Sequence, residues 1–128
     1  MCKEQKFYYC DICGKIIGMV KDAKTPTICC GKPMTQIVAN IEEASYEKHL
    51  PAVTVKGNEI HVSVGSVAHP MIPEHYIEWV YVQTEKGGQR KCFKAGEEPK
   101  VAFSVINDKP VAVYAYCNLH GLWKTEVK

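Results

Sequence analysis

The stretch VTVKGNEIHVSV, residues 53–64, indicates the fold expected for most of this 128-residue chain. In its second half Ile60, Val62 and Val64 alternate with polar residues, which is the period of a strand that buries one face. Between the two halves, Lys56-Gly57-Asn58 has the composition of a tight turn. The stretch therefore predicts two antiparallel strands joined as a hairpin.

Further strands of the same kind follow this hairpin, separated by turns rich in glycine, proline and asparagine. Seven short strands at this spacing predict a mainly β chain whose larger part is an antiparallel β-sandwich of immunoglobulin-like type. The Cys…Trp…Cys framework of true immunoglobulin domains is absent. Before the first strand, residues 41–49 are expected to form one or two helical turns. The strands are expected at residues 53–55, 59–64, 76–84, 89–94, 100–106, 111–117 and 122–127.

Residues 1–37 have a different composition, poor in apolar patterning and rich in cysteine, glycine, lysine and threonine. A segment of this size cannot bury enough apolar surface to fold without a covalent or metal cross-link. We therefore expect two domains, residues 1–37 and residues 38–128, with residues 38–49 linking them.

Composition excludes several classes of protein. The net charge of +2 is small and no basic stripe is interleaved with aromatic residues, which argues against nucleic acid binding. No apolar run is long enough to span a membrane and no signal peptide opens the chain, so a cytoplasmic protein is expected. Seven cysteines in a reducing compartment are more often metal ligands or reactive thiols than disulfides.

The first candidate site consists of two cysteine pairs, Cys10-x-x-Cys13-Gly14 and Cys29-Cys30-Gly31. Four soft ligands in a segment with little core predict tetrahedral zinc or iron, and spacing alone does not decide between the two metals. A thioredoxin-type dithiol is an alternative, but no βαβ pattern surrounds the pair. A vicinal disulfide between Cys29 and Cys30, or cysteines with no common role, are the remaining alternatives.

The second candidate site combines histidines that lie outside the predicted strands with a cysteine in a C-x-x-H turn. Loops at one end of a sandwich converge, so these side chains are expected to surround one ion. Imidazole suits iron, copper, zinc or nickel, while one thiolate favours a redox metal. His61 is expected to be exposed or hydrogen-bonded, because it lies on the polar face of its strand. The candidate ligands are His49, His69, His75, Cys117 and His120.

Taken together, these motifs resemble those of desulfoferrodoxin, a family of two-domain superoxide reductases whose one-domain relatives are the neelaredoxins. The resemblance covers essentially the whole chain in the same order. Two cysteines, Cys2 and Cys92, fall outside the family's ligand motifs; Cys2 is expected to be a mobile terminal thiol, and Cys92 to lie in a strand, buried or at an edge. The segments that carry the resemblance are the two cysteine pairs, Glu47-Lys48-His49, residues 65–71, Pro73-Glu74-His75-Tyr76-Ile77 and Cys117-Asn118-Leu119-His120-Gly121.

The resemblance implies two iron centres in a homodimer. The first iron would be held in a desulforedoxin-like domain by Cys10, Cys13, Cys29 and Cys30. The second, ferrous when active, would have His49, His69, His75 and His120 as equatorial ligands and Cys117 as the axial ligand. The position opposite Cys117 would stay open for superoxide, which is reduced to hydrogen peroxide with an electron from a rubredoxin-like carrier.

The resemblance also gives roles to Glu47 and Lys48, which composition alone would assign to a solvated face. Glu47 would bind the ferric iron when no substrate is present, and Lys48 would attract the superoxide anion to the mouth of the open position. The first iron is either structural or an electron relay, and its absence from neelaredoxins favours a structural or accessory role. Two other functions remain open: a non-catalytic iron carrier of electrons and a zinc-stabilised binding module.

Overall fold

A computed structural model describes residues 3–41 and 46–128. These residues fall into two compact units, Lys3–Val38 and Ala39–Lys128. Cys2 lies outside the described residues, and so does the 42–45 part of the expected helical segment. Within the described ranges, no helix has the length and apolar character that crossing a membrane requires.

The first unit is built from five short strands that the sequence did not predict. A three-stranded sheet has the order β2-β1-β5, and β3 pairs with β4 in a separate ladder. Its buried side chains include Phe7, Cys10 and Met34, so little apolar surface is available to stabilise it. The strands are β1 Lys6–Tyr9, β2 Ile16–Met19, β3 Ile28–Cys29, β4 Lys32–Pro33 and β5 Thr35–Gln36.

The second unit is a sandwich of two antiparallel sheets preceded by a single helical turn. One sheet has the order β10-β7-β6 and the other the order β12-β11-β8-β9. The predicted seven-stranded antiparallel sandwich is confirmed. Its elements are α1 Tyr46–His49, β6 Pro51–Lys56, β7 Glu59–Val64, β8 Ile77–Thr84, β9 Gly87–Cys92, β10 Lys100–Ser104, β11 Pro110–Cys117 and β12 Gly121–Glu126.

The core lies between the two sheets and follows the alternation of the sequence. Ile60, Val62 and Val64 of β7 are at most 2% exposed, and they join a cluster with residues from β8, β10 and β11. Burial of these aliphatic side chains supplies about 1.5–3 kcal/mol each relative to exposure. The second unit therefore has a core of its own.

One end of the sandwich gathers the segments that carry the candidate ligands. Pro51 at the start of β6 pairs with Val64 at the end of β7. Cys117 at the end of β11 pairs with Gly121 of β12 on one side and with Ile77 at the start of β8 on the other. The C-terminus of α1, the loop between β7 and β8, and the turn between β11 and β12 consequently meet at this end.

Candidate metal centres

Four cysteine sulfur atoms meet in the first unit. Sγ of Cys13 lies 3.6 Å from Sγ of Cys29, and Sγ of Cys29 lies 4.0 Å from Sγ of Cys30. Together with Cys10, all four sulfurs lie within 4.8 Å of one another. A tetrahedron with metal–sulfur bonds of about 2.3 Å has an edge of about 3.8 Å. The four sulfurs therefore fit a single tetrahedral ion, and Cys29 and Cys30 are free thiols rather than a vicinal disulfide.

Two different turns position these sulfurs. Cys10 and Cys13 lie in the connection between β1 and β2, where the Gly14 N–H donates to the Cys10 carbonyl at 2.9 Å. Cys30 and Gly31 form the two-residue loop between β3 and β4. Both have positive φ, 52° and 75°, as a type I′ hairpin turn requires. Glycine at the second position is the residue most compatible with this backbone.

Electrostatics in the first unit favour a bound cation. Backbone N–H groups of Cys13 and Ile12 lower the pKa of the Cys10 thiol to about 6. Hydrogen bonds to the neighbouring sulfurs of Cys13, Cys10 and Cys29 raise the pKa of Cys30 to about 12, because they stabilise its protonated thiol. A metal ion would replace these hydrogen bonds and displace the remaining thiol protons.

Four imidazole rings form a square at the ligand-bearing end of the sandwich. The centroid distances along its sides are 4.5 Å for His49–His69, 4.7 Å for His69–His75, 5.0 Å for His75–His120 and 4.9 Å for His120–His49. Neighbouring rings are nearly perpendicular, with interplanar angles of 79°, 81°, 78° and 89° in the same order. One diagonal, His49–His75, measures 6.3 Å. The rings thus surround a common centre.

The ligand atoms point toward that centre. Nε2 of His49 lies 3.1 Å from Nδ1 of His120, and adjacent nitrogens around an ion with bonds of about 2.0–2.1 Å would be about 2.9 Å apart. The sulfur of Cys117 belongs to a group with His49, His69 and His75 whose ligand atoms all lie within 4.8 Å of one another. It also lies 4.0 Å from Nδ1 of His120. The structure brings all five predicted side chains together.

Two buried nitrogens in this square are the strongest sign of an ion. Within the described part of the chain, Nε2 of His69 and Nε2 of His75 have no hydrogen-bond partner, and such atoms are rare unless an ion or water is bound. His69 Nδ1–H can donate to the Pro70 carbonyl at 2.7 Å, which leaves the lone pair on Nε2. Burial lowers the pKa of His69 to about 4, and burial also lowers the pKa of His75. Both rings are therefore neutral near pH 7, as metal ligands must be.

Cys117 is fully buried next to the imidazole square. Burial raises the pKa of its thiol, while backbone N–H groups of Leu119 and His120 donate to the sulfur and lower it. A thiolate at this position needs a nearby cation, and the two N–H groups are already aimed at it. Such hydrogen bonds to sulfur are one of the means by which a protein tunes an iron centre.

The helical turn α1 is held against the loop that leads to His69. The Val67 N–H donates to the Glu47 carbonyl at 2.9 Å, and the Gly65 N–H donates to the Leu50 carbonyl at 3.0 Å. Gly65 has φ +83°, and a Cβ there would lie 2.6 Å from the Lys48 carbonyl oxygen. Glycine therefore allows the close approach that places α1 beside this loop.

Glu47 and Lys48 are exposed on α1, directly before the buried His49. The positive charge of Lys48 contributes, after burial and His120, to the lowered pKa of His75. Lys48 therefore carries a positive charge on the helical turn that ends at the candidate ligand His49.

Two residues set aside by the sequence analysis do not join either cluster. Cys92 is an exposed residue at the end of β9, an edge strand, which confirms its expected place at a strand edge. His61 Nε2 lies 2.9 Å from a carboxylate oxygen of Glu59 on the same strand, which confirms the expected hydrogen-bonded histidine.

Comparison with known proteins gives matches to one family over both units of the chain. The family model described as desulfoferrodoxin matches residues 41–126, and the model of the desulfoferrodoxin N-terminal domain matches residues 2–37. The chain belongs to the desulfoferrodoxin family. A desulfoferrodoxin homologue from Archaeoglobus fulgidus is 42% identical over 125 residues, which are 98% of this chain and 99% of that protein.

Two solved structures that are similar to this chain are superoxide reductases. The enzyme from Treponema pallidum has a TM-score of 0.82 and 38% identity, and the match covers 97% of this chain and 100% of that one. The 1Fe superoxide reductase from Giardia intestinalis has a TM-score of 0.56 and 31% identity, covering 64% of this chain and 98% of that one. The shorter match shows that a 1Fe superoxide reductase corresponds to about two thirds of this chain.

Both clusters of this chain fit iron by their own geometry. The first offers four sulfurs at tetrahedral spacing, and the second offers four nitrogens in a square with a sulfur beside them. Soft thiolates and imidazoles are ligand types that suit iron in redox sites. Spacing alone left zinc or iron at the first site and iron, copper, zinc or nickel at the second. Because the chain belongs to this family, both sites are assigned to iron.

Sequence reasoning did not identify Trp123 as a side chain that supports the second cluster. Trp123 is fully buried and stacks on His49, with centroids 4.9 Å apart and planes at 27°. Its indole N–H donates to the His120 carbonyl at 3.0 Å. Trp123 therefore contacts two of the candidate ligands at once. The sequence feature that could have identified it is its position three residues after His120.

Proposed function

We propose that this chain is a superoxide reductase, which converts superoxide, one electron and two protons to hydrogen peroxide. The observation that carries the proposal is the square of four imidazoles next to the buried sulfur of Cys117, in which Nε2 of His69 and Nε2 of His75 have no hydrogen-bond partner. A relative from Pyrococcus abyssi, 35% identical over 100 residues, is likewise a superoxide reductase.

We assign the ligands of two irons from these clusters. The first iron is held by Cys10, Cys13, Cys29 and Cys30, in a domain comprising residues 1–37. The second would be held by His49, His69, His75, His120 and Cys117, in a domain comprising residues 38–128. Iron at the second site, when bound and ferrous, supplies the single electron that superoxide takes up.

The chain's own residues bring the substrate to that site and hold the ligands in place. Lys48 attracts the superoxide anion, because its exposed, positively charged side chain directly precedes the ligand His49 on α1. Glu47 is next to it on the same helical turn and would bind the oxidised iron in the absence of substrate. Cys117, as a thiolate ligand, would donate electron density to a bound iron, which favours loss of the reduced product. The two protons of hydrogen peroxide come from solvent.

The oxidised site needs an electron from another protein before it can react again. A rubredoxin-like carrier is the proposed donor, since the reaction consumes one electron for each superoxide and yields no oxygen. The proposed setting is the cytoplasm, where the protein would remove superoxide under oxidative stress as a homodimer. The first iron is proposed as a structural or accessory centre, because the first unit has little apolar core of its own.

Two alternatives make different predictions. A non-catalytic electron carrier would take up and release electrons without forming peroxide. A zinc-stabilised binding module would be colourless, whereas thiolate-bound ferric iron absorbs visible light. Metal analysis combined with a visible spectrum separates the zinc module from both iron proteins, and peroxide formation separates the enzyme from the carrier.

Replacing Lys48 by methionine should slow the second-order reaction with superoxide about tenfold. One charge at about 6 Å in an effective dielectric of about 40 attracts the anion by roughly 1.4 kcal/mol, which corresponds to that factor. The rate should also depend less on ionic strength, because the screened charge is gone. Stopped-flow measurements at several salt concentrations test both effects, and the spectrum of the second centre should stay unchanged.

Lys86→Met is the matched control for this prediction. Lys86 is exposed in the turn that follows β8, at the far end of that strand from the ligand cluster. The Lys86→Met variant should react with superoxide at a second-order rate within about twofold of wild type, since exposed charges beyond the Debye length of about 10 Å are largely screened at 0.1 M salt. Equal rates for the Lys48 and Lys86 variants at low salt would contradict the proposed role of Lys48.

Cys13→Ser should remove the first iron centre and leave superoxide reduction largely intact. A hydroxyl is a poor substitute for thiolate at this site, and the sandwich has its own core. Iron content should fall from two to one per chain, and the absorption of the tetrathiolate centre should disappear. Complete loss of activity in a variant that keeps its second centre would instead show that electrons must pass through the first.

A further inference from the structure

Asn118 lies between the candidate ligands Cys117 and His120 but has no role in the proposed site. Its side-chain oxygen accepts a hydrogen bond from the Tyr76 N–H at 2.9 Å, and its side-chain N–H donates to the Glu74 carbonyl at 3.0 Å. Its own backbone N–H donates to the Tyr76 carbonyl at 3.2 Å. Three hydrogen bonds from one residue therefore reach the residues on either side of His75.

The backbone of His75 itself is held by a second set of bonds. His75 and Ile72 exchange hydrogen bonds of 3.0 Å and 3.1 Å, which close the short turn through Pro73 and Glu74. These bonds fix the shape of the turn, but they do not connect it to the strand that carries Cys117. The bonds from Asn118 make that connection, across 42 and 44 residues of sequence.

The regular ladder between β8 and β11 does not extend to this point. Its register shifts between Tyr116 and Cys117, and its last pair is Cys117 with Ile77. Beyond it, the amide of Asn118 supplies one acceptor and one donor, as a peptide group of a continued strand would. The side chain thus extends the pairing past the end of the ladder, to the segment that holds His75.

We propose that Asn118 is a positioning residue that fixes His75 relative to Cys117, and so sets the geometry of the second metal centre. The inference rests on His75 and Cys117 being ligands of the same ion, as in the proposed function. It does not depend on which reaction that ion performs. Residues that orient metal ligands through hydrogen bonds typically change metal affinity or activity about 10–100-fold when replaced.

The requirement is specific to an amide. Aspartate has the same shape and keeps the acceptor for the Tyr76 N–H, but at neutral pH it has no donor for the Glu74 carbonyl. Its carboxylate would face that carbonyl oxygen at the distance where the N–H now donates. The Asn118→Asp variant therefore breaks one defined bond with little change in volume.

Asn40 offers a matched control in the same unit. Its side-chain N–H donates to the Lys124 carbonyl at 3.1 Å, and its side-chain oxygen accepts from the Lys124 N–H at 2.8 Å. Asn40→Asp removes the same kind of bond, from a side-chain N–H to a backbone carbonyl, and keeps the acceptor. The residue that Asn40 binds, Lys124, is not a candidate ligand and does not neighbour one. The two variants separate a general loss of stability from an effect on the metal centre.

The test measures how fast each iron-loaded protein, with both centres filled, gives up second-site iron to a ferrous chelator. Asn118→Asp should release that iron about tenfold faster than wild type, and its ferric spectrum should shift. Asn40→Asp should match wild type, and the absorption of the first centre should be the same in all three. Equal release rates and spectra for the two variants would overturn the role of Asn118.

A measurement on the wild-type protein covers the case in which Asn118→Asp does not fold. The Tyr76 amide lies outside β8, yet it should exchange with solvent deuterium as slowly as amides within that strand, because it donates to Asn118. Exchange as fast as in an exposed loop would overturn the proposal. Faster iron release in a protein that does not reduce superoxide would support the role of Asn118 and contradict only the proposed reaction.

Discussion

Replacing Cys117 by serine should reduce superoxide turnover by more than about 100-fold. Residues that merely orient metal ligands already account for about 10–100-fold, and Cys117 is proposed as a ligand. Serine is nearly isosteric, but its hydroxyl stays protonated at neutral pH and donates far less electron density than a thiolate. The visible absorption of the oxidised second centre should vanish with the sulfur, while the first centre keeps its own.

Cys92→Ser makes the same chemical change at an exposed edge-strand thiol and serves as the control. Its spectrum, iron content and turnover should equal those of wild type. If Cys117→Ser retained the thiolate absorption of the second centre, the axial ligand would have been assigned to the wrong residue. If it lost the absorption but kept its turnover, electron donation from sulfur would be unnecessary for the reaction.

Gly65→Ala should lower the free energy of unfolding by about 2–4 kcal/mol, the largest loss of stability predicted for these variants. Alanine is strained at φ +83°, which costs about 1 kcal/mol, and its methyl group would overlap the carbonyl groups of Val67 and Lys48. Overpacking of that kind costs about 1–3 kcal/mol more. Since the contact positions α1 beside the loop to His69, the second centre should also lose iron readily. Denaturant unfolding and iron content measure the two effects.

Gly57→Ala separates strain from overlap in this prediction. Gly57 has φ +58°, and nothing lies within 4 Å of the position that its Cβ would occupy. Gly57→Ala should lower the free energy of unfolding by about 1 kcal/mol and leave the iron content unchanged. Similar losses for both variants would mean that the close approach of α1 to Gly65 contributes little to holding the site.

The sandwich was predictable because its strands alternate clearly and its turns have distinctive residues. The expected strand at residues 59–64 coincides with β7, Glu59–Val64, and the one expected at 111–117 differs by one residue from β11, Pro110–Cys117. Alternation predicts burial directly, since one face of each strand packs into the core. The loops that carry the histidines were expected to converge because loops at one end of a sandwich lie close together.

The strands of the first unit were not predictable in this way. They are two to four residues long, too short for a periodic pattern to emerge. The turn at Cys30 and Gly31 depends on positive φ at both residues, and cysteine is not among the residues usual at such a position. The two cysteine pairs identified the site, but not the hairpins that carry it.

The orientation of individual ligands also lay beyond the sequence. His49 presents Nε2 and His120 presents Nδ1 to the common centre, a choice set by backbone geometry rather than by residue type. The supporting contacts of Trp123 and Asn118 depend on pairing between segments far apart in sequence. Those residues stood inside or beside the C-x-x-H turn, but their partners became apparent only with the fold.

The most direct test of the central claim is the reaction of the fully reduced protein with a known amount of superoxide. The account predicts one hydrogen peroxide for each superoxide consumed, no dioxygen, and the appearance of the visible thiolate absorption of the oxidised second centre at the same rate. Dioxygen and peroxide in equal amounts, with no net oxidation of the protein, would indicate dismutation. That result, or superoxide left unconsumed, would contradict the assignment of this chain as a superoxide reductase.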